Sequence, residues 1–258
     1  MTYETVILRT EGNVGILTFN RPKAMNALNT QLIKDISAAF DEIEADSNIR
    51  SVVMRGEGRA FCAGGDIPEM KTLATAEQVF EFYDIAGGMI KKMINCSKPV
   101  IAAAHGAIAG AGTSMLLSAD IALVSETARF IVAFGQVGLI PDSAGHYLIP
   151  RAVGLNMAKE LMMTQRAVDA KEMKELRIAN HIYPEDQLMD EAMKLAEKLA
   201  KGPSNCYASS KMLMNKSYEM DLDSLLIEET KLQAEARIHE NGEEGLTAFI
   251  EKRKPNFK

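Results

Sequence analysis

The 258-residue chain has no tryptophan, only three cysteines and no uninterrupted apolar run long enough to span a bilayer. The cysteines, Cys62, Cys96 and Cys206, are too few and too scattered for a disulfide framework or a CxxC metal site. They are interpreted as free thiols in a reducing compartment. The N-terminus also lacks a basic start followed by an apolar segment, so we expect a cytoplasmic protein without membrane insertion.

Excess positive charge is missing as well, since the formal net charge is -6. That balance offers nucleic acid no broad attraction, and no nucleic-acid partner is expected. The content of 47% hydrophobic and 25% charged residues is typical of a globular protein with one principal core.

Hydrophobic periodicity predicts an α/β fold. Alternation in residues 5–8 and 14–19 around Gly12-Asn13 indicates a hairpin, and helical spacing begins after a cap at Asn29 or Thr30. Strands are predicted at 51–54, 99–104 and 121–124, and helices at 76–94 and 113–118. Beyond Gly154 nearly every segment has helical spacing, with only 178–183 extended. We therefore predict a core over residues 1–198 and a helical region over residues 199–258.

Two glycine-rich segments follow predicted strands, RAFCAGGD at 59–66 and HGAIAGAG at 105–112. Accessible backbone N–H groups in such segments can bind a developing oxyanion, and the second segment opens a short helix. The alternative is that both are tight turns where helices pack closely.

Seven motifs, in order along nearly the whole chain, resemble the crotonase family, also called the enoyl-CoA hydratase/isomerase superfamily. They are NRPKAMNAL (20–28), AFCAGGDI (60–67), GAIAGAG (106–112), SADI (118–121), GLIPDSAG (138–145), LIPRAVG (148–154) and FIEKRKPNF (249–257). The resemblance implies a spiral of ββα units followed by helices, an acyl-CoA thioester ligand, and trimers or dimers of trimers. It implies no separate cofactor, because coenzyme A is part of the substrate.

The resemblance also assigns site residues. It places two oxyanion donors at the backbone N–H groups of Ala63 and Ala111, which would hold the thioester carbonyl of an enolate. Positions expected to line the CoA site, largely through backbone, are Lys23, Ala24, Met25, Ala63, Asp66 and Ile67. Phe249 and Lys252 match positions that reach CoA in a neighbouring subunit; without the resemblance, Lys252 would be interpreted as a solvated charge.

The chain departs from the family where its hydratases carry two catalytic glutamates. Those positions hold Ser114 and Phe134, and neither can transfer protons as a carboxylate. Asp142 remains, at a position that matches the base of family isomerases, notably the 1,2-epoxyphenylacetyl-CoA isomerase-like branch. We expect a wall of Phe130, Phe134 and Leu139 to desolvate it and raise its pKa. The alternative is that Asp142 is an N-cap at a helix start.

Ser114 and His146 are secondary candidates. Ser114 could hydrogen-bond a water or a substrate carbonyl, or be structural. His146 follows Asp142 by four residues and on a helix could face it. Cys62 has no paired base and is interpreted as packing, and no metal site is evident.

The resulting hypothesis is an enoyl-CoA isomerase in which Ala63 and Ala111 stabilise an enolate and Asp142 moves a proton between two carbons. Two alternatives stay open: a hydratase whose water is held by Asp142, Ser114 or His146, and a catalytically weak CoA-binding subunit of a larger assembly.

Overall fold

The computed structural model describes residues 3–258, which form two sheets and eleven α-helices among the described residues. The strands are β1 (Val6–Glu11), β2 (Val14–Phe19), β3 (Ser51–Gly56), β4 (Ala60–Cys62), β5 (Val100–Ala104), β6 (Ala107–Ala109), β7 (Ile121–Ser125), β8 (Arg129–Ile131), β9 (Val168–Asp169) and β10 (His181–Tyr183). The helices are α1 (Thr30–Ala45), α2 (Ile67–Met70), α3 (Ala76–Asn95), α4 (Ala111–Leu117), α5 (Gly145–Val153), α6 (Leu155–Thr164), α7 (Ala170–Glu175), α8 (Leu188–Ala200), α9 (Ser204–Lys216), α10 (Leu222–Ile238) and α11 (Glu240–Glu251). Two 3-10 helices cover Pro22–Ala24 and Ala133–Val137.

The larger sheet has six strands in the order β1-β2-β3-β5-β7-β10. The predicted hairpin is confirmed, because β1 pairs antiparallel with β2, and the strands that follow are parallel to one another. The predicted cap is confirmed too: the Asn29 side chain accepts a hydrogen bond from the Leu32 N–H. The α/β expectation is therefore correct.

The inner strands β2, β3, β5 and β7 are covered on both faces, which explains why they are mostly apolar, whereas the edge strand β1 is largely exposed. Alternate residues such as Val52 and Met54 point into the main core with α1 and α3. Val53 belongs instead to a second cluster on the opposite face, where α8 supplies Leu188 and Ala192.

The smaller sheet, in the order β4-β6-β8-β9, was not predicted. Its strands are two or three residues long, and β4 and β6 lie within the two glycine-rich segments at 59–66 and 105–112. β4, β6 and β8 run parallel, so their carboxyl ends meet at one edge. This edge positions the candidate site.

The C-terminal region is helical, as predicted, with only the short β9 and β10 as strands after residue 154. α8 ends at Ala200, two residues beyond the predicted boundary at 198, and packs on the large sheet. Many apolar side chains on α10 and α11 are exposed in the single chain, among them Leu222, Ile227, Ile238 and Ile250. Such a surface suits a subunit interface, and assembly as trimers stays a prediction.

Candidate active site

Three segments of the candidate site begin where the three parallel strands of the small sheet end. Ala63 follows β4, Gly110 and Ala111 follow β6, and Val132 leads from β8 into the 3-10 helix at Ala133–Val137. The Gly110 N–H donates to the Ile131 carbonyl at 3.0 Å and fixes the second segment against the third. The fold thus brings together segments that are far apart in sequence.

Glycine allows the first two segments to touch. A Cβ on Gly64, whose φ is +103°, would lie 3.1 Å from the Ala109 carbonyl oxygen, and one on Gly112 would lie 2.4 Å from that of Cys62. Side chains at these positions would push the two segments apart. The alternative interpretation as close-packed turns is therefore correct as geometry, and the same closeness places Ala63 and Ala111 at one site.

The two predicted oxyanion donors differ in their hydrogen bonds. Ala111 is the first residue of α4, and its N–H has no acceptor among residues 3–258. The Ala63 N–H donates to the Met25 carbonyl oxygen at 3.0 Å. A thioester oxygen would have to share the Ala63 N–H with Met25 or replace that carbonyl, whereas the Ala111 N–H is ready to donate.

A cavity of about 220 Å³ opens onto both segments. Most of its wall is apolar, and its carboxylate is Asp142. The lining residues are Leu28, Ile33, Ala63, Gly64, Gly65, Ile67, Met70, Phe82, Ala86, Gly110, Ala111, Ala133, Phe134, Gln136, Val137, Leu139, Asp142 and Ser143. The predicted wall is right for Phe134 and Leu139 and wrong for Phe130, which lies in the core on β8 because its strand position points away from the cavity.

Asp142 is not a helix cap. α5 begins three residues later, at Gly145, and its N-cap is Ala144 without a side-chain hydrogen bond. The helix start expected at Asp142 is therefore wrong, because Ser143 and Ala144 adopt left-handed backbone, with φ of 48° and 61°. The Asp142 carbonyl instead accepts from the Gly145 N–H at 2.7 Å, which closes a turn that leaves the carboxyl group free to face the cavity.

The burial of the Asp142 carboxyl group is compensated only in part. Its Oδ1 has no hydrogen-bond partner, and no ion pair reaches it from the described part of the chain. Burial raises the pKa of Asp142 above its ordinary value of 3.8, and the neighbouring Ser143 hydroxyl offsets this only in part. A carboxyl group in such surroundings can accept and return a proton more readily than an exposed one.

Ser143 belongs to this cavity and was missed from the sequence, and Tyr83 lies just outside its lining. Ser143 is buried beside Asp142, and its Oγ has no hydrogen-bond partner. Burial, with a contribution from the Asp142 charge, raises the pKa of the Tyr83 phenol on α3. Neither carried a signal in the sequence, since Ser143 reads as a turn residue and Tyr83 as part of an amphipathic helix.

The two positions of the expected glutamates are both buried. The Phe134 ring forms part of the cavity wall. Ser114, one turn into α4 from Ala111, has a fully buried Oγ without a partner, and a Cβ on Gly145 would lie 3.5 Å from it. Ser114 therefore lies behind the turn that carries Asp142, outside the cavity lining.

His146 is exposed and does not line the cavity. The spacing that suggested a pair with Asp142 applies only within a helix, and Asp142 precedes α5. No hydrogen bond or ion pair between the two residues occurs in the described chain.

The predicted CoA-binding segments lie side by side. Lys23, Ala24 and Met25 lie at the first 3-10 helix, and the Asp66 N–H donates to the Leu28 carbonyl at 2.8 Å. Asp66 caps α2 and pairs with Arg21 at 2.8 Å, while Ile67 lines the cavity.

The other two predicted CoA contacts lie on the C-terminal helix. Phe249 and Lys252 are exposed on α11 and at its end, away from the cavity lining. Their contact with CoA in a neighbouring subunit stays a prediction.

Other chemistries find little support at this site. Burial raises the pKa of the Cys62 thiol to about 12, which suits packing rather than nucleophilic attack. Within residues 3–258, no cluster of three or more histidine, cysteine or acidic side chains is arranged to hold a metal ion. No helix in that range is both long and apolar enough to cross a membrane.

Comparison with known proteins agrees with this architecture. Residues 9–258 match the family model described as enoyl-CoA hydratase/isomerase. The chain belongs to the enoyl-CoA hydratase/isomerase family. It is an enzyme family that acts on acyl-CoA thioesters, so the resemblance seen in the motifs is confirmed.

Individual members of the family bear different names. The chain is 36% identical, over 100% of its length and 99% of the relative, to a Rhizobium meliloti protein named "Probable enoyl-CoA hydratase". It is 31% identical, over 98% of both chains, to the 1,2-epoxyphenylacetyl-CoA isomerase of Escherichia coli. An enoyl-CoA hydratase structure from Polaromonas sp. JS666 superposes with a TM-score of 0.94 at 31% identity, covering 98% of this chain and 99% of that one. The crotonase fold is therefore confirmed.

Proposed function

We propose that this family member is an enoyl-CoA isomerase that moves a double bond along the acyl chain. The observation that carries the proposal is the Asp142 carboxyl group, which is buried and unpaired at a cavity whose other expected acid/base positions hold Ser114 and Phe134. One carboxylate suffices for isomerisation, because the group that removes a proton from one carbon becomes the acid that protonates another, and while protonated it can exchange with solvent.

In this mechanism the thioester carbonyl binds beside the Ala111 N–H, with Ala63 as the second donor. The Asp142 carboxylate removes a proton from C2 of a 3-enoyl thioester, and the C–H electron pair moves into the carbonyl to form a dienolate. The oxyanion is stabilised by the backbone donors, each of which typically contributes about 3 kcal/mol in the transition state. Protonated Asp142 then returns the proton to C4, the electrons leave the oxygen, and the 2-enoyl thioester results.

Hydration is the second candidate, and two observations favour it. Several similar proteins bear hydratase names, and Ser143 offers an unpaired hydroxyl that could hold a water next to Asp142. Against it, Phe134 places an aromatic ring where a second proton-transfer group would be required.

The deciding experiment incubates the protein with 3-enoyl-CoA and 2-enoyl-CoA thioesters in deuterated water and follows products by mass spectrometry. We expect double-bond migration and deuterium uptake without the added mass of water. We expect Asp142→Asn to lower the rate about 10²- to 10⁴-fold, the usual contribution of one acid/base group. The matched control is Asp120→Asn, since Asp120 pairs with Lys211 at 2.8 Å outside this cavity.

Three results would contradict the proposal in different ways. Gain of the mass of water would establish hydration. Thioester binding without exchange in the wild type would favour the CoA-binding subunit. An unchanged rate in Asp142→Asn would remove Asp142 from the mechanism even if isomerisation occurs.

A further inference from the structure

Residues 3–258 contain four buried side-chain oxygens without hydrogen-bond partners, and they are not spread evenly. Three of them, on Ser114, Asp142 and Ser143, lie around the turn before α5, and the fourth is Thr18 Oγ1 on β2. A buried polar atom without a partner costs about 1–3 kcal/mol, so folded proteins keep few of them. Their concentration beside one carboxyl group points to a function for the turn.

The backbone of the turn that holds Ser143 is itself conformationally unfavourable. Ser143 and Ala144 both have left-handed φ angles, 48° and 61°, which residues with a Cβ seldom adopt in succession. The conformation is fixed by the hydrogen bond from the Gly145 N–H to the Asp142 carbonyl and directs the buried Ser143 side chain to the cavity. A glycine would adopt this backbone more easily but would remove the hydroxyl.

We propose, on the basis of the proposed function, that Ser143 is a positioning residue whose hydroxyl orients the Asp142 carboxyl group in both of its protonation states. A hydroxyl can donate to a carboxylate and can accept from a carboxylic acid, so rotation of one O–H bond follows the proton as it arrives and leaves. Ser143 is adjacent to Asp142 in the chain, both line the cavity, and neither Ser143 Oγ nor Asp142 Oδ1 has another hydrogen-bond partner to compete for it.

The surroundings leave this task to Ser143. On α3 the titratable group that senses the Asp142 charge is Tyr83, whose phenol pKa is raised first by burial and then by that charge. On α4, Ser114 Oγ lies 3.5 Å from where a Cβ on Gly145 would stand, and from the 3-10 helix at Ala133–Val137 the wall is Phe134. Within the described residues, no lysine, arginine or histidine forms an ion pair with Asp142.

The test compares Ser143→Ala with Ser143→Gly. Both remove the hydroxyl, and the glycine also relieves the left-handed backbone. The primary readout is the pH dependence of α-proton exchange from bound acyl-CoA into deuterated water, which requires the enolate but not double-bond migration. Loss of the donor destabilises the carboxylate, so we expect the acid limb of the profile to move up by about one pH unit in both variants. We also expect a fall of about tenfold in the exchange rate with little change in KM.

Thr18→Val provides the matched control, because it removes the one unpaired buried hydroxyl remote from the cavity. It should leave the acid limb where it is. A second measurement follows the protonated carboxyl band of Asp142 by infrared difference spectroscopy against Asp142→Asn, and it does not depend on turnover. The same upward shift is expected there.

The role of Ser143 and the proposed function fail in distinguishable ways. If Ser143→Ala and Ser143→Gly keep the wild-type acid limb and infrared titration, Ser143 is only a turn residue and the inference is overturned. A shift in Ser143→Ala but not in Ser143→Gly would assign the effect to backbone strain and would overturn it as well. If the wild type hydrates its substrate while the infrared shift appears, the role of Ser143 stands and the isomerase assignment falls.

Discussion

Two aspartates, one near each end of α4, differ in how their carboxyl groups are hydrogen-bonded. Behind its C-terminal end, Asp120 Oδ2 accepts from the Val100 N–H and from Lys211 Nζ, both at 2.8 Å. Near its N-terminal end, Asp142 has a buried oxygen without a partner. The Asp120 side chain is 28% exposed and paired, whereas the buried Asp142 Oδ1 lacks a partner. Stability alone would favour a hydrogen-bond partner for the buried oxygen of Asp142.

The difference separates a structural carboxylate from a chemical one. Asp120 ties the start of β5 to α9 through a cation and a backbone donor, which offset part of the burial that raises its pKa. Burial raises the pKa of Asp142 as well, but no cation pairs with Asp142 to offset it. That is the condition a proton carrier needs, and it explains how one carboxyl group could do the work that family hydratases give to two.

The largest expected difference between the two aspartates is the effect of their replacement on the free energy of unfolding. Asp120→Asn should lower the free energy of unfolding by about 2 kcal/mol, because it leaves the buried Lys211 ammonium without its partner. That figure is below the value for a fully buried pair, since water reaches Asp120. Asp142→Asn should instead raise the free energy of unfolding by about 1 kcal/mol, because it replaces an unpaired buried charge with a neutral group. Urea unfolding at pH 7 measures both, and equal losses in the two variants would remove the contrast.

The sequence predicted the main secondary-structure elements, but it did not predict the surroundings of Asp120 and Asp142. The hairpin, the Asn29 cap and α3 were predictable because each depends on local periodicity or a local hydrogen bond. The motifs, whose order along the chain is distinctive, pointed to Ala63, Ala111 and Asp142, and the fold brings these three residues to one cavity.

The small sheet was not predictable, since strands of two or three residues show no periodicity and exist only through pairing with distant segments. The left-handed turn at Ser143 and Ala144 was missed for a related reason. Neither residue is a glycine, so nothing local signals the positive φ angles that stop α5 from starting at Asp142. The hydrogen bond from Ala63 to Met25 depends equally on tertiary packing.

The pH dependence of stability provides a second, smaller contrast. Burial raises the pKa of Asp142 in the folded protein above its ordinary 3.8, so between those two values the native state binds more protons than the unfolded chain. Stability contributed by this group is therefore full below pH 3.8 and is lost as the pH rises through the raised value. Asn does not titrate, so the free energy of unfolding of Asp142→Asn should not fall in this way. The excess of its free energy of unfolding over that of the wild type should therefore be smallest in acid and grow toward pH 7. Urea unfolding over that pH range tests this, and a constant difference would mean that Asp142 is solvated or paired.

The smallest contrast concerns two serines of α4, Ser114 in the middle of the helix and Ser118 at its C-cap. Ser118 Oγ donates to the Met115 carbonyl at 2.8 Å, while the fully buried Ser114 Oγ has no partner. Ser118→Ala should therefore lower the free energy of unfolding by about 1 kcal/mol, the usual net contribution of one hydrogen bond. Ser114→Ala should leave it unchanged or raise it slightly, because it removes a buried hydroxyl that gains nothing from folding. If Ser114→Ala costs as much as Ser118→Ala in parallel urea titrations, the Ser114 hydroxyl has a bonding partner in solution. The hydratase alternative would then gain a second polar group beside Asp142.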